Sequence, residues 1–572
     1  MTKKKSLIII LITLVLLITA CRPIDVEDVS NDTGEDEPVT GEIVEGGEIT
    51  IPLTNFNTLN PLLTTNLNYH FFSKLIFESL FDFDEDLSVV PRLAQEYTIY
   101  DEGKTILVEL KNNIKWHDGA QFTAEDVAFT IEVIKAAGSE GTYGKMIESS
   151  LGIEGSINYN SVIKTTILDD YRIEIHFDNI YLNNLEVLTF PIIPKHVFSE
   201  ARGTKQAINR ALQIEDYQPI GTGPYRFDIY EKHKSIRLVR NQDYWNGNPQ
   251  IEGITGRILD DDESILVAFE TGQVNLAASL GTDWDKYKQN KRIRVAEFTS
   301  PSFEFLGFNF DNGFIAGEKG QEIRKAISYG IDRQDIIHKV YLGHGIQIDV
   351  PLHPDSYLVS DHAYSYGYNK DLAIKILREA GFDDGDDDGI LEDEEGNKLS
   401  FRLLTNANNQ TRVIVAEEIK EDLGDIGIEI TLDFDTHYIR DYDEAEDEII
   451  WEQFNNRLVR GDFDIVLLGW QASVIPNLSS MFHSSMIAQG TNFINYINDR
   501  MDQVLLDSLI GSPRERKESI YERLQGLIVE DIPYVSLYYI NRALLIDTKI
   551  QGDLNPTFFN IYNGLEKCYI VE

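Results

Sequence analysis

The sequence predicts an α/β protein of at least two domains, on three observations. Apolar and polar residues alternate over Thr105–Lys111 and Tyr171–Phe177, the pattern of half-buried strands. Ile323, Ala326, Ile327, Gly330 and Ile331 recur at i, i+3, i+4, i+7 and i+8, the apolar stripe of a helix over Gln321–Asp332. The chain has 572 residues, 42% of them hydrophobic and 10% aromatic, which supports a core too large for one domain.

The elements follow in order from the N-terminus. Lys3, Lys4 and Lys5 precede an apolar run from Leu7 to Ile18. That run falls short of the ~20 apolar residues that span a bilayer and suits the h-region of a signal peptide over residues 1–20. Ile18-Thr19-Ala20-Cys21 resembles the lipobox of bacterial lipoproteins, which implies that Cys21 is acylated and becomes the mature N-terminus. An ordinary signal peptide with a chance cysteine, or a signal anchor, is the alternative. Residues 21–45 are rich in Asp, Glu, Thr, Gly and Pro without apolar periodicity and read as a disordered acidic tether behind the lipidated cysteine. Stable anchoring takes two lipid chains, and the lipoprotein resemblance implies a second acyl group such as palmitate. Cys568 is the other of the two cysteines. With Cys21 acylated, no intramolecular disulfide forms and the core must hold without one.

From Glu48 onward, strand and helix alternate. Ala373, Ile376, Leu377 and Ala380 repeat the helical spacing, and Gly381 stands where a left-handed C-terminal cap belongs. Leu399–Leu404 reads as a strand, Val413–Leu423 as a helix, Ile428–Leu432 as a strand, and Asp464–Trp470 as an apolar strand entering a turn. This succession predicts crossover units and a mainly parallel sheet covered on both faces. Trp116-His117-Asp118-Gly119 reads as a turn ahead of a helix that Thr123 and Asp126 open. A metal site there is disfavoured because no second His or Cys stands at ligand spacing. Gly221-Thr222-Gly223-Pro224 is also a turn, lacking the third glycine and the following helix pattern of a phosphate loop.

Eight stretches in order resemble the peptide, dipeptide and nickel class of solute-binding proteins that serve ABC transporters, family 5. They are Pro91–Tyr97 with the strand behind it, Ile114–Phe129, Ile192–Val197, Ile220–Tyr225, Arg240–Trp245, Leu306–Asn309, Ile323–Arg333 and Phe463–Trp470. The resemblance covers nearly everything from Gly46 to Tyr539. It implies a type II periplasmic-binding-protein fold, with two hinged α/β lobes and an extra domain inserted in the first lobe. The implied layout is lobe I over 46–82, 196–302 and 538–572, an inserted domain over 83–195, and lobe II over 303–537. It also implies function by hinge closure around a ligand, which shifts the equilibrium only by its preference for the closed form. No catalysis is needed, and the expected partners are a short peptide and the permease subunits of an ABC importer.

The family resemblance places Gly469, Trp470 and the loop after them in the cleft, where backbone pairing gives sequence-tolerant peptide affinity, with a core Trp470 as the alternative. The chain departs from its relatives at Ser473, where peptide binders of this class often carry an aspartate for the ligand's α-ammonium. Either another acid holds the amine, or the amine is solvated or absent. Gln471 and Ser473 are counted with Gly469 and Trp470 as ligand-binding residues, and Thr65 and Asn66 as contacts on the facing lobe. Arg457 and Arg460 are weighed as receivers of a ligand carboxylate against plain solvated surface charge.

A separate motif is Asp384–Glu395, which fits an EF-hand loop. Asp384, Asp386 and Asp388 stand at positions 1, 3 and 5, Gly389 at 6, the Ile390 carbonyl at 7, Glu392 at 9 and Glu395 at 12. The expectation is a structural Ca²⁺ site, with a solvated acidic turn as its rival. No other cofactor is expected.

The formal net charge is −44, or −47 once the three lysines of the signal are removed. So acidic a chain does not bind nucleic acid, whose affinity rests on Lys and Arg contacts to phosphate. Its membrane contact is expected through the lipid anchor alone. The chain is expected to be a monomer on the extracytoplasmic face of the cell membrane, at a Gram-positive-type surface rather than in a periplasm. An enzyme is disfavoured: there is no Gly-x-Ser-x-Gly elbow, no His-Glu-x-x-His helix and no catalytic Cys with a paired His. The same transport role with a nickel complex, an oligosaccharide or a signalling peptide as cargo stays open.

Overall fold

The computed structural model describes residues 42–152, 159–199, 204–213, 217–434 and 444–572. The expected signal peptide, Cys21 and nearly all of the tether lie outside the described residues. The first strand, Ile43–Val44, falls inside the stretch read as tether and pairs antiparallel with Tyr569–Val571, which in turn pairs with Ile550–Gln551. Two apolar residues are too short a run to read as a strand until their distant partner is known.

Glu48–Thr54 buries Ile49, Ile51 and Leu53. It runs parallel to Gly253–Leu259, and Ser235–Arg240 and Tyr225–Glu231 extend this sheet antiparallel. A second, all-antiparallel sheet is ordered Ala94–Tyr100, Thr105–Leu110, Arg172–Phe177, Ile163–Asp169. Alternation puts Ile106, Val108, Ile173 and Ile175 of this sheet into the core, joined there by Val127, Ile131 and Ile134 of the helix Ala124–Ala137. The turn before that helix is built as its residues predict. Trp116 donates its indole N–H to Asp126, and the Asp126 carboxylate also accepts from the Thr123 backbone.

The largest sheet has seven strands and runs through lobe II. Along Ile465–Gln471, Ile465 and Leu467 enter one core with Ile323, Ile327, Leu377 and Ile419, while Val466 and Leu468 enter another with Phe454, Tyr521 and Leu524. Both faces are therefore covered, as expected, but the sheet is not mainly parallel. Four of its six pairings are antiparallel, and the parallel ones involve Ser400–Leu404 alone, with Glu429–Leu432 and with Ile465–Gln471. The reason is the long strands Ile293–Phe308 and Tyr534–Asp547, which run antiparallel beside each other and dominate the sheet. Local alternation of strand and helix does not report the direction of a strand paired over such a distance.

These two strands also link the lobes. At one end Tyr534–Asp547 pairs with Leu276–Ala278, and at the other Ile293–Phe308 pairs with Ile465–Gln471. The register slips between them: Thr299 faces Asn541 but Phe303 faces Tyr539. Ser300–Ser302 bulge out of the ladder around Pro301, which has no N–H to contribute to it.

Cys568 is buried, and burial pushes its thiol up to about 12, which leaves it a packing group at neutral pH.

Candidate ligand-binding cleft

A cavity of about 340 Å³ opens at this crossing point. Its first wall is the helix Leu67–Ser73 with the chain after it, which presents Leu67, His70, Phe71 and Lys74. Asn66 caps this helix, accepting from Tyr69 N–H at 2.8 Å and donating to Thr54 Oγ1 and Asn55 O. Thr65 and Asn66 thus stand just ahead of Leu67, outside the lining, and the Asn66 side chain is committed to the cap and to Thr54 and Asn55. Burial holds His70 near 3, so its imidazole is neutral.

Glu78, 5% exposed, lines the cavity beside this wall together with Arg92. Its Oε1 accepts from Arg92 Nε at 2.8 Å and from the Tyr244 hydroxyl at 2.8 Å; its Oε2 accepts from Thr222 at 3.0 Å and from Trp245 Nε1 at 2.8 Å. Arg92 also lies over the Trp245 ring. The donors come from three of the stretches that carry the family resemblance, and Glu78 from none. Its signal was a lone acid in the apolar run Leu75–Leu80, where a buried carboxylate needs partners. The Gly221 turn closes on the same strip of backbone. A side chain at Gly221 would put Cβ 1.7 Å from Ile76 O. His117 bridges the turn, accepting from Gly221 N–H and facing Gly223 O, and burial holds it near 4.

The opposite wall comes from lobe II. The strand Ile465–Gln471 leads into Ala472–Ile475, all of which line the cavity. Ala472 N–H donates to Pro301 O, and Ser473 Oγ accepts from Ile475 N–H. Gly469, Trp470 and Gln471 are not among the lining residues. A Cβ on Gly469 would meet Glu304 and Arg412, whose bidentate pair at 2.8 Å passes over it. Trp470 shares the face of Val466 and Leu468 and packs against Phe493 in the lobe II core. Gln471 donates to Ser302 Oγ. Phe558, Phe559 and Glu566 of the C-terminal segment complete the first wall, with Lys74 over the Phe559 ring. Arg457 is held by Asp433 and Asp462, and Arg460 by Asn456 O, away from the cavity.

The inserted domain closes against lobe II beside the cavity. Leu182 N–H donates to Leu509 O and Gly511 N–H to Ile180 O. Glu186, 3% exposed, takes Arg514 at 2.8 Å and Lys517 at 2.5 Å. Burial alone would raise the Glu186 carboxyl, but these two cations hold it below the usual range.

The acidic turn lies elsewhere in lobe II, and none of its residues lines the cavity. Asp384, Asp386, Asp388 and Glu392 bring their oxygens within 4.8 Å of one another. Glu395 does not join them. The chain folds back into the strand Ser400–Leu404 instead of a second helix, so Glu395 is exposed in the next turn with its N–H on Asp393. Ile390 donates its N–H to Asp388 Oδ1 at 3.0 Å.

Two lobes joined by two crossing strands, a cleft at the crossing and a domain grown out of the first lobe define a type II extracytoplasmic binding protein. Residues 88–491 match the family model of bacterial extracellular solute-binding proteins, family 5, and the chain belongs to that family. The oligopeptide-binding protein AppA of Bacillus subtilis is 28% identical over 535 residues, covering 93% of each chain. Its structure in complex with a nonapeptide aligns with a TM-score of 0.58 at 25% identity, over 93% of this chain and 100% of that one. The ABC transporter substrate-binding protein CtaP of Listeria monocytogenes aligns at a TM-score of 0.72 and 22% identity, over 92% and 100%. NikZ of Campylobacter jejuni, in complex with Ni(L-His), aligns at 0.61 and 22%, over 92% and 99%. The chain is the substrate-binding component of an ABC transport system, and the family it belongs to is one of solute-binding proteins. Among the described residues no helix is long and apolar enough to cross a membrane.

Proposed function

We propose that the protein captures short peptides in the cleft and delivers them to the permease of an ABC importer, as a monomer held by acylated Cys21 at the outer face of the cell membrane. The observation that carries this reading is the meeting of Ala472–Ile475 from lobe II with the His70 and Phe559 walls across one small cavity. A volume of about 340 Å³ sits at the low end of the ~300–1,000 Å³ typical of ligand sites, which favours a cargo of a few residues. Ser473 touches the cargo, while Gly469, Trp470 and Gln471 fix where the segment leaves the sheet. Thr65 and Asn66 set the start of the facing helix.

The missing acid at Ser473 has substitutes on the other side. Asp82 and Glu566 line the cavity, and neither is saturated as Glu78 is: Asp82 accepts one backbone N–H and lies 4.0 Å from Lys74. These two carboxylates receive the peptide's α-ammonium. A nickel complex is the second reading, favoured by the neutral His70 imidazole in the wall.

Calorimetric titration with di- and tripeptides, free and N-acetylated, and with Ni(II)–histidine separates the readings. Free peptides are expected to bind, and Asp82→Asn with Glu566→Gln to weaken them about tenfold or more without affecting the acetylated forms. Binding of Ni(II)–histidine and of no peptide overturns the peptide assignment.

A further inference from the structure

We propose that the turn Asp383–Glu392 of lobe II holds a calcium ion, on the carboxylates of Asp384, Asp386, Asp388 and Glu392. The observation that separates this turn from an ordinary acidic loop is Glu392. It is only 9% exposed, and its Oε2 accepts from Gly385 N–H at 2.9 Å. Its Oε1 is buried and receives no hydrogen bond; the Lys398 ammonium stands 3.8 Å from it, beyond hydrogen-bond reach. A buried carboxylate oxygen is costly unless a donor or cation meets it closely, and an ammonium at 3.8 Å meets it only in part.

The donor set favours calcium. The donor set is all oxygen, with no His or Cys. Calcium takes about six to eight oxygens and suits a loop that offers several carboxylates, whereas magnesium keeps most of its waters and binds one or two. The four carboxylates span up to 4.8 Å. The Ile390 carbonyl, at the seventh place of the loop, is the further oxygen available. The loop is already set in its turn: Asp384 accepts from the N–H groups of Asp388 and Gly389, at 3.0 and 2.9 Å.

Lys398 is the competing cation. Its ammonium lies 3.3 Å from Asp386 and 3.8 Å from Glu392 and pairs with Asp388. One ammonium leaves the four carboxylates three charges in excess, and the lysine side chain is 37% exposed, so it can swing to solvent when a divalent ion enters. The ion would act on the fold and not on the cargo. Leu391, beside Glu392, packs in the lobe II core, donating its N–H to Gly427 O and accepting from Leu399 N–H. Fixing Glu392 therefore fixes the joint between the helix Lys370–Glu379 and the sheet.

The test is thermal melting of the full chain in EGTA, then with excess CaCl₂ or MgCl₂, with bound ⁴⁵Ca counted by equilibrium dialysis. Calcium is expected to raise the melting temperature by about 2 °C or more, magnesium by less, with one ion bound per chain. Asp386→Asn and Glu392→Gln should melt like the wild type in EGTA and lose the calcium response. If Glu392→Gln does not fold, the exposed Asp386→Asn still decides. Lys398→Met should bind calcium more tightly, its competitor being gone. The proposal is overturned by a wild type indifferent to calcium and EGTA, by an undiminished response in both acid variants, or by Lys398→Met that loses stability and binds no calcium. The readout is stability, so it stands or falls apart from the peptide reading.

Discussion

Glu78 is where three of the resemblance stretches meet, and its neighbourhood shows what single residues decide in this protein. Four donors converge on one buried carboxylate, so most of the motif residues around the cleft hold its shape and do not touch cargo. Glu78→Gln keeps the size but removes the charge opposite Arg92. The expected loss is about 3–5 kcal/mol, the usual result of breaking a buried ion pair from one side, read by urea denaturation; a loss under about 1 kcal/mol would contradict the role. Gly221→Ala tests a steric claim. With Cβ 1.7 Å from the Ile76 carbonyl, the turn cannot stay in place, and the variant is expected to lose more than about 4 kcal/mol or fail to fold. Wild-type stability would show that the turn shifts freely. Ser473 lines the cavity where the family resemblance leads one to expect an aspartate. Ser473→Asp is expected to tighten free-amine peptides over acetylated ones by about tenfold, worth about 1.4 kcal/mol. Equal affinity for both would mean that the amine lies far from this wall.

At the level of elements, the strand Ile465–Gln471 shows what was legible and what was not. Its length and apolar character are plain in the sequence, and so is the alternation that puts Val466, Leu468 and Trp470 on one face. Which face meets the cleft depends on strands paired to it from residues 302–308, more than 150 positions away, and no local pattern reports that. Trp470 accordingly packs in the core, and the cavity begins two residues later. The same limit hid the antiparallel character of the sheet, while the helices Gly320–Gly330, Lys370–Glu379 and Gln410–Gly424 lie close to where their spacing put them. The contact between the inserted domain and lobe II was not foreseen, because Glu186, Arg514 and Lys517 are ordinary charges until they are buried together. Glu186→Gln would leave Lys517 buried and unpaired in the closed form but free to hydrate in the open one. The variant is expected to favour the open form, raising peptide Kd at least tenfold and enlarging the scattering radius at a fixed peptide concentration. Unchanged Kd and radius would show that the contact does not bias closure. Because Glu186 is held below its ordinary value of 4.5, its contribution is present above that pH and is lost as the pH falls through the lower folded value.

For the molecule as a whole, acid stability follows from histidines whose charged form the fold disfavours. Burial holds His70 near 3, and His117 and His353 near 4, against 6.5 when unfolded. A folded state that takes up protons later than the unfolded one is fully stabilised above pH 6.5 and loses that stability as the pH falls toward 4. Each such group changes stability by up to about 1.4 kcal/mol per pH unit in that window. Asp422, pushed up to about 6 by burial, works in the opposite sense and offsets part of one histidine. The urea midpoint is therefore expected to fall clearly between pH 7 and pH 4.5, before most carboxylates titrate; a flat midpoint would mean that these histidines are solvated when folded. The central claim concerns the closed molecule and its cargo, and native mass spectrometry of the protein purified without denaturation tests it most directly. The intact mass should exceed the denatured mass by a heterogeneous set of short peptides, which fragmentation can sequence. A single non-peptide species, or a chain without cargo that no peptide mixture fills, would contradict it.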